Sequence, residues 1–339
     1  MILNPWILTM LTGHAALFFV FSLATINAWW IFSGWDFTSS SEKQYGLEKR
    51  TYLVSSVMNL TLIIQMLMLF LLVMAADELA KILPGAMCAT GSLSSNKYGF
   101  PLLMIKIGSF FIYFVWWVLN YLDNQLEDYP LVRKKYLALV CIFPVMISET
   151  ILLLLFAVNL NPTVIASCCG SIYNESSAGL GGTMAGSSPL MTLTLFFGVV
   201  SIVLIWHMIE NIRGYRPTKK KGGLEALLWV FLFVTALLTV ISFISTYIYE
   251  MLSHKCPFCL LKAEYNYIGV PLYFFLFLAT ATGLTKGVLQ WMGAEGPLGE
   301  KAIWLRRRLG QMSIFSLLVY IVVGYSPFII YYIRTGRTI

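Results

Sequence analysis

Eight separate stretches of this chain are apolar for long enough to cross a bilayer, and that feature excludes most folds. A hydrocarbon core of about 30 Å needs about 20 helical residues, and helices satisfy their own backbone hydrogen bonds where water is absent. The stretches run from Trp6 to Ile31, Tyr52 to Ala75, Pro101 to Tyr121, Tyr136 to Asn159, Pro189 to Ile209, Glu225 to Met251, Gly269 to Trp291 and Met312 to Ile333. Only 12% of the 339 residues are charged and 58% are hydrophobic, whereas about a quarter of a soluble domain is charged. The expectation is an all-α polytopic membrane bundle of about eight transmembrane helices.

Lys and Arg gather in alternate loops, which orients such a bundle because basic loops stay in the cytoplasm. One set of loops holds Lys49 and Arg50, then Arg133, Lys134 and Lys135, then Lys219, Lys220 and Lys221, then Arg306, Arg307 and Arg308. The opposite set is sparse in basic residues, so both termini are expected outside the cytoplasm, in a plasma or inner membrane. The formal charge of +7 then reads as topology and contact with membrane lipid headgroups, and no nucleic-acid partner is expected. Met1 is followed by no basic segment, so the first span reads as a retained helix.

On that topology five of the six cysteines, Cys88, Cys168, Cys169, Cys256 and Cys259, fall in or beside outward loops. Cys141 alone lies in a span, where a small packing residue is expected. Disulfides persist outside the cytosol and not within it. An odd set leaves at least one sulfur outside any internal pairing.

Cys256-Pro257-Phe258-Cys259 is a Cys-x-x-Cys just ahead of the helix expected from Gly269. A helix N-terminus there would stabilise a thiolate, the reactive form. The same spacing is half of a zinc site, which Cys256, Cys259, His254, Cys168 and Cys169 would complete, although adjacent Cys168 and Cys169 chelate together awkwardly. Covalent haem attachment needs a histidine at position 260, which is Leu260. A non-covalent haem needs two histidines at one depth, and His14 and His207 lie in opposite halves of the membrane. Thiol redox chemistry fits the context best, with zinc and haem left as alternatives.

The run Cys256-Pro257-Phe258-Cys259-Leu260-Leu261 resembles the Cys-x-x-Cys of the vitamin K epoxide reductase and DsbB group of membrane thiol oxidoreductases. That resemblance implies electron transfer between extracytoplasmic thiols and a membrane quinone. It implies that Cys259 faces the quinone and that Cys256 exchanges with a shuttle thiol, for which Cys168, Cys169 and Cys88 are candidates. It also implies a thioredoxin-like partner outside the membrane. The chain departs from that group in having eight spans rather than four or five, adjacent rather than separated shuttle cysteines, and no fused thioredoxin-like domain. Structural disulfides bracing the loops are the alternative for the same residues.

Polar residues inside spans are costly and mark candidate sites. Lys106, Glu149 and His14 fall in the outer half. A Lys106–Glu149 pair with His14 would frame a quinone headgroup or a proton path, or else is a structural ion pair beside a histidine. Lys286 is expected to snorkel to the cytoplasmic surface.

Cys88 precedes Tyr98-Gly99-Phe100-Pro101-Leu102 much as Cys259 precedes Tyr267-Ile268-Gly269-Val270-Pro271-Leu272. This echo suggests two four-helix units, 1–170 with the Cys88 loop and 171–339 with the Cys256/Cys259 loop. Two functions are therefore open: a quinone-linked thiol–disulfide oxidoreductase or electron-transfer subunit, and a non-catalytic anchor or transporter subunit that works with other complex subunits. No phosphate-binding loop, Gly-x-Ser-x-Gly or His-Glu-x-x-His occurs, so ATPase, serine hydrolase and zincin chemistries find no support.

Overall fold

The structure, a computed structural model, describes residues 3–36, 41–125, 129–162, 186–213, 219–252, 254–292 and 299–338. Among these residues there is no strand, and eight helices are long and apolar enough to cross a membrane. The chain is a multi-pass, all-α membrane protein.

Helix α1 (Pro5–Gly34) starts where the Asn4 side chain accepts a hydrogen bond from Trp6 N at 3.0 Å, with proline at the first helical position. Helix α2 (Glu42–Ala80) is capped by Ser41, whose hydroxyl accepts from Gln44 N at 3.3 Å. A short α3 (Ala89–Ser94) leads into α4 (Gly99–Asn124), and α5 (Val132–Val158) follows. Then come α6 (Pro189–Arg213) and α7 (Lys219–Thr239), which runs through a π-helical turn at Val240–Ile244 into α8 (Ser245–Tyr249). Glu250, in the left-handed conformation with φ of 53°, ends that run. Helices α9 (Gly269–Trp291) and α10 (Gly299–Thr335) complete the chain.

Two helices overrun their apolar stretches. With 39 and 37 residues, α2 and α10 are about 58 and 55 Å long, well beyond a bilayer core. Their charged ends, Glu42 to Arg50 and Glu300 to Arg308, continue the helix outside the apolar segment, because Lys, Glu and Arg are good helix formers.

Contacts divide the chain into two compact units, Met1–Pro84 with Ser92–Ile165, and Gly85–Gly91 with Ala166–Ile339. The sequence reading assigns the Cys88 loop to the first half. The contacts group Gly85–Gly91 with the second. The boundary expected at 170 lies outside the described residues.

In the first unit, α1 packs on α2 and α5, and α4 closes the ring by packing on the same two. Its core holds Phe21, Met58, Leu62, Trp116, Tyr136 and Met146, while Phe19, Leu23, Ile26, Trp29 and Trp30 are exposed. An apolar exposed face is what a helix presents to lipid. A buried ionic group sits in this unit: Lys135 Nζ lies 2.6 Å from Asp123 Oδ2 and 3.0 Å from Asn120 Oδ1. Cys141 is exposed on α5 and packs in no core, contrary to the sequence reading. Its neighbours Leu139 and Ile142 take the inward positions instead.

In the second unit, α9 is the central helix, packed on both α7 and α10, and α7 also packs on α6. Trp229, Leu232, Leu272, Leu276, Leu317 and Tyr320 form its core. The two sequence echoes both begin helices, α4 and α9. A side chain at Gly99 would meet Leu93 O at 2.2 Å, and one at Gly269 would meet Leu260 at 2.9 Å. Each glycine lets a helix start close against a leucine of the short helical turn before it.

Candidate functional site

Cys256 and Cys259 do not stand at the N-terminus of α9. Residues 259–261 and 263–265 form single 3₁₀ turns, and Asn266 and Tyr267, with φ of 52° and 53°, break the chain before α9 begins. The thiolate stabilisation that the sequence reading drew from a helix dipole therefore does not apply. A three-residue turn carries little dipole.

What fixes the Cys-x-x-Cys is a set of side chains clamped onto its backbone. The Tyr249 hydroxyl donates to the Cys256 carbonyl, and the Tyr273 hydroxyl donates to the Pro257 carbonyl at 2.7 Å. Leu260 is buried beneath the start of α9. The left-handed Glu250 turns the chain back, so that Tyr249 stacks edge-on with the His254 and Tyr265 rings, both at 4.5 Å.

The Cys88 loop joins this set. Gly85 takes a positive φ of 80°, Gly91 N donates to the Cys88 carbonyl at 2.9 Å, and Lys262 Nζ donates to the Met87 carbonyl at 2.6 Å. Cys88 Sγ comes within 3.5 Å of Cys256 Sγ, and the Thr90 hydroxyl lies 3.3 Å from the same sulfur. The sulfurs of Cys88, Cys256 and Cys259 all lie within 4.8 Å of one another. Cys88 and Cys256 are 0% exposed and Cys259 7%. Of the shuttle candidates expected for Cys256, namely Cys168, Cys169 and Cys88, it is Cys88 that lies beside it among the described residues. Cys168 and Cys169 lie outside the described residues.

Two ionisable groups flank the cluster. Burial holds the His254 imidazole below its ordinary pKa, with Cys88 acting in the opposite direction. Burial likewise pushes the Tyr265 phenol up, with Cys259 adding to the effect.

The other sequence candidates belong to the first unit. Lys106 Nζ lies 2.8 Å from Glu149 Oε2, both groups buried, and the Tyr113 hydroxyl donates to Glu149 Oε1 at 3.1 Å. His14 Nε2 bonds the Thr150 hydroxyl at 3.1 Å, one residue along α5 from Glu149. An open apolar groove between α4 and α5 is lined by Ile105, Gly108, Ser109, Ile112, Pro144 and Ser148.

Besides the Lys135–Asp123 pair, a second buried ionic group is absent from the sequence expectations. Lys286 does not snorkel: its side chain is 5% exposed, and Nζ sits 2.6 Å from Glu210 Oε2, 2.7 Å from Glu225 Oε1 and 3.1 Å from His207 Nε2. His207 and Glu210, three residues apart on α6, share a helix face. That spacing was the available signal.

No family model matches the chain, and no curated protein or solved structure matches it. Fold and site together define a multi-pass helical membrane protein with a buried cluster of three cysteines among the described residues.

Proposed function

We propose that this chain is an integral membrane thiol–disulfide oxidoreductase that moves electrons from extracytoplasmic thiols toward a membrane quinone. The observation that supports it is the grouping of three sulfurs, Cys88, Cys256 and Cys259, within 4.8 Å. Three sulfurs form one disulfide and leave one thiol, which is the minimum set for internal exchange. In the exchange step the Cys88 thiolate attacks Cys256 Sγ of a Cys256–Cys259 disulfide. The Cys88–Cys256 bond forms, the Cys256–Cys259 bond breaks, and Cys259 leaves as the thiolate with no net change in electrons. Net turnover oxidises two thiols to a disulfide and reduces one quinone to quinol, with two electrons and two protons passing between them. His14, Lys106 and Glu149 are the proposed quinone-side residues, and a thioredoxin-like protein is the proposed thiol partner. The loop charge pattern supports placing the cluster outside the cytoplasm, with both termini on that side.

The burial of Cys88 and Cys256, both 0% exposed, favours a second reading: a non-catalytic subunit of a larger assembly whose cysteines brace the two loops. An alkylation gel shift in intact cells separates the two. Wild type is compared with Cys88→Ser, Cys256→Ser and Cys259→Ser, with and without quinone depletion. Reduced thiols accumulating when quinone is withheld support exchange. Cysteines that stay oxidised throughout, with variants that only lose abundance, support the brace.

A further inference from the structure

We propose that in the reduced protein Cys88, Cys256 and Cys259 bind one soft d10 cation, Zn²⁺ or Cu⁺, as a three-thiolate site. The inference rests on the same sulfurs as the exchange reading but does not require that reading.

The distances carry it. Zinc–thiolate bonds are about 2.3 Å, so sulfurs sharing one such ion stand about 3.8 to 4.0 Å apart, from tetrahedral to trigonal geometry. Here Cys88 and Cys256 are 3.5 Å apart and no pair of the three exceeds 4.8 Å. A cation fits with adjustments of a few tenths of an ångström to about 1 Å, within the reach of side-chain rotation. The backbone beneath is already held by Tyr249, Tyr273 and Lys262.

Burial supplies the second argument. Three thiolates together in a site this buried are costly unless a cation neutralises them. The donors are all sulfur, which selects soft ions over Mg²⁺ or Ca²⁺, whose preference is for oxygen. Binding displaces the thiol protons, so affinity falls as pH falls. A metal-bound thiolate is withheld from attack on disulfides, which would make the cation a brake on exchange at this site.

The test uses the full chain, purified in detergent, with Cys168→Ser and Cys169→Ser as background. The protein is reduced, stripped of metal, and titrated anaerobically with Zn²⁺ and, separately, Cu⁺ against a chromophoric chelator. One equivalent per chain is expected, with Cys88→Ser, Cys256→Ser or Cys259→Ser each weakening binding by about 100-fold or more, beyond the 10–100-fold effect of a supporting residue. Cys141→Ser should leave affinity unchanged. The arm with the tighter binding identifies the ion. Should the cysteine variants fail to fold, Co²⁺ in the background protein still counts thiolates, because sulfur-to-metal charge transfer scales with their number. Less than half an equivalent, unaltered affinity in Cys88→Ser, or a cobalt spectrum of two thiolates or fewer overturns the proposal. Metal binding without redox cycling in the gel-shift experiment sinks the exchange reading and leaves this one standing, and the reverse result does the opposite.

Discussion

The sulfurs of Cys88 and Cys256 stand 3.5 Å apart although 168 residues separate them in sequence. A contact this long-range, made at full burial, holds the loop before α3 against the loop that follows α8. Local spacing highlights Cys256 and Cys259 as a pair. Folding makes Cys88 the third member.

That contact predicts a crosslink. With Cys141, Cys168, Cys169 and Cys259 replaced by serine, mild oxidation should join Cys88 to Cys256 within one chain. Proteolysis between them then leaves two fragments that separate only after reduction. Fragments that separate without reductant would show that the two sulfurs do not meet.

Gly269→Ala should disturb the cluster from beneath. The added carbon would meet Leu260 at 2.9 Å, next to Cys259. A destabilisation of about 1–3 kcal/mol is expected from such overpacking, together with faster alkylation of Cys259. Gly198→Ala, with nothing within 4 Å of the new carbon, should be neutral or stabilise by up to about 1 kcal/mol. Thermal melts in detergent compare the two, and equal melting temperatures would contradict the packing argument.

The Lys106–Glu149 pair is buried on both sides. Glu149→Gln strands the Lys106 ammonium and should cost about 3–5 kcal/mol, whereas the double change Lys106→Met with Glu149→Leu should recover much of that loss. A double variant no more stable than Glu149→Gln would mean that the stranded charge is not the cause.

His254 predicts a pH dependence. Burial keeps its folded pKa below the ordinary 6.5, so just below that pH the unfolded chain binds more protons than the folded one. Stability therefore falls as pH drops through 6.5 toward the folded value, and the loss levels off beneath it. In melts from about pH 7 to about pH 5, His254→Gln should show a shallower decline than wild type. An identical slope would remove His254 as the source.

The spans were legible because apolar length is a local property, and α1, α4 and α9 begin where Pro5, Gly99 and Gly269 suggest. The long polar extensions of α2 and α10 were not, since the apolar count stops at the bilayer while Lys, Glu and Arg continue the helix. The π turn at Val240–Ile244 has no proline or glycine to announce it. Lys286 was misread as a snorkelling residue because its partners Glu210 and Glu225 lie on other helices, and no spacing rule links them. The sequence pointed to Cys256 and Cys259 through their motif. It placed Cys88 on the same side of the membrane, and only folding brought it to the same point.

Helix α9 is the least apolar of the eight spans and the most enclosed by protein. A lysine at the centre of a span costs about 2.5–3.5 kcal/mol to place in lipid by itself, and less toward its end; Lys286 meets carboxylates on α6 and α7. During synthesis, then, α9 is a helix that must be received: Glu210 and Glu225 enter the bilayer first and make the place into which it partitions. The order of the chain, with both acids ahead of the lysine, suits biogenesis in that sequence.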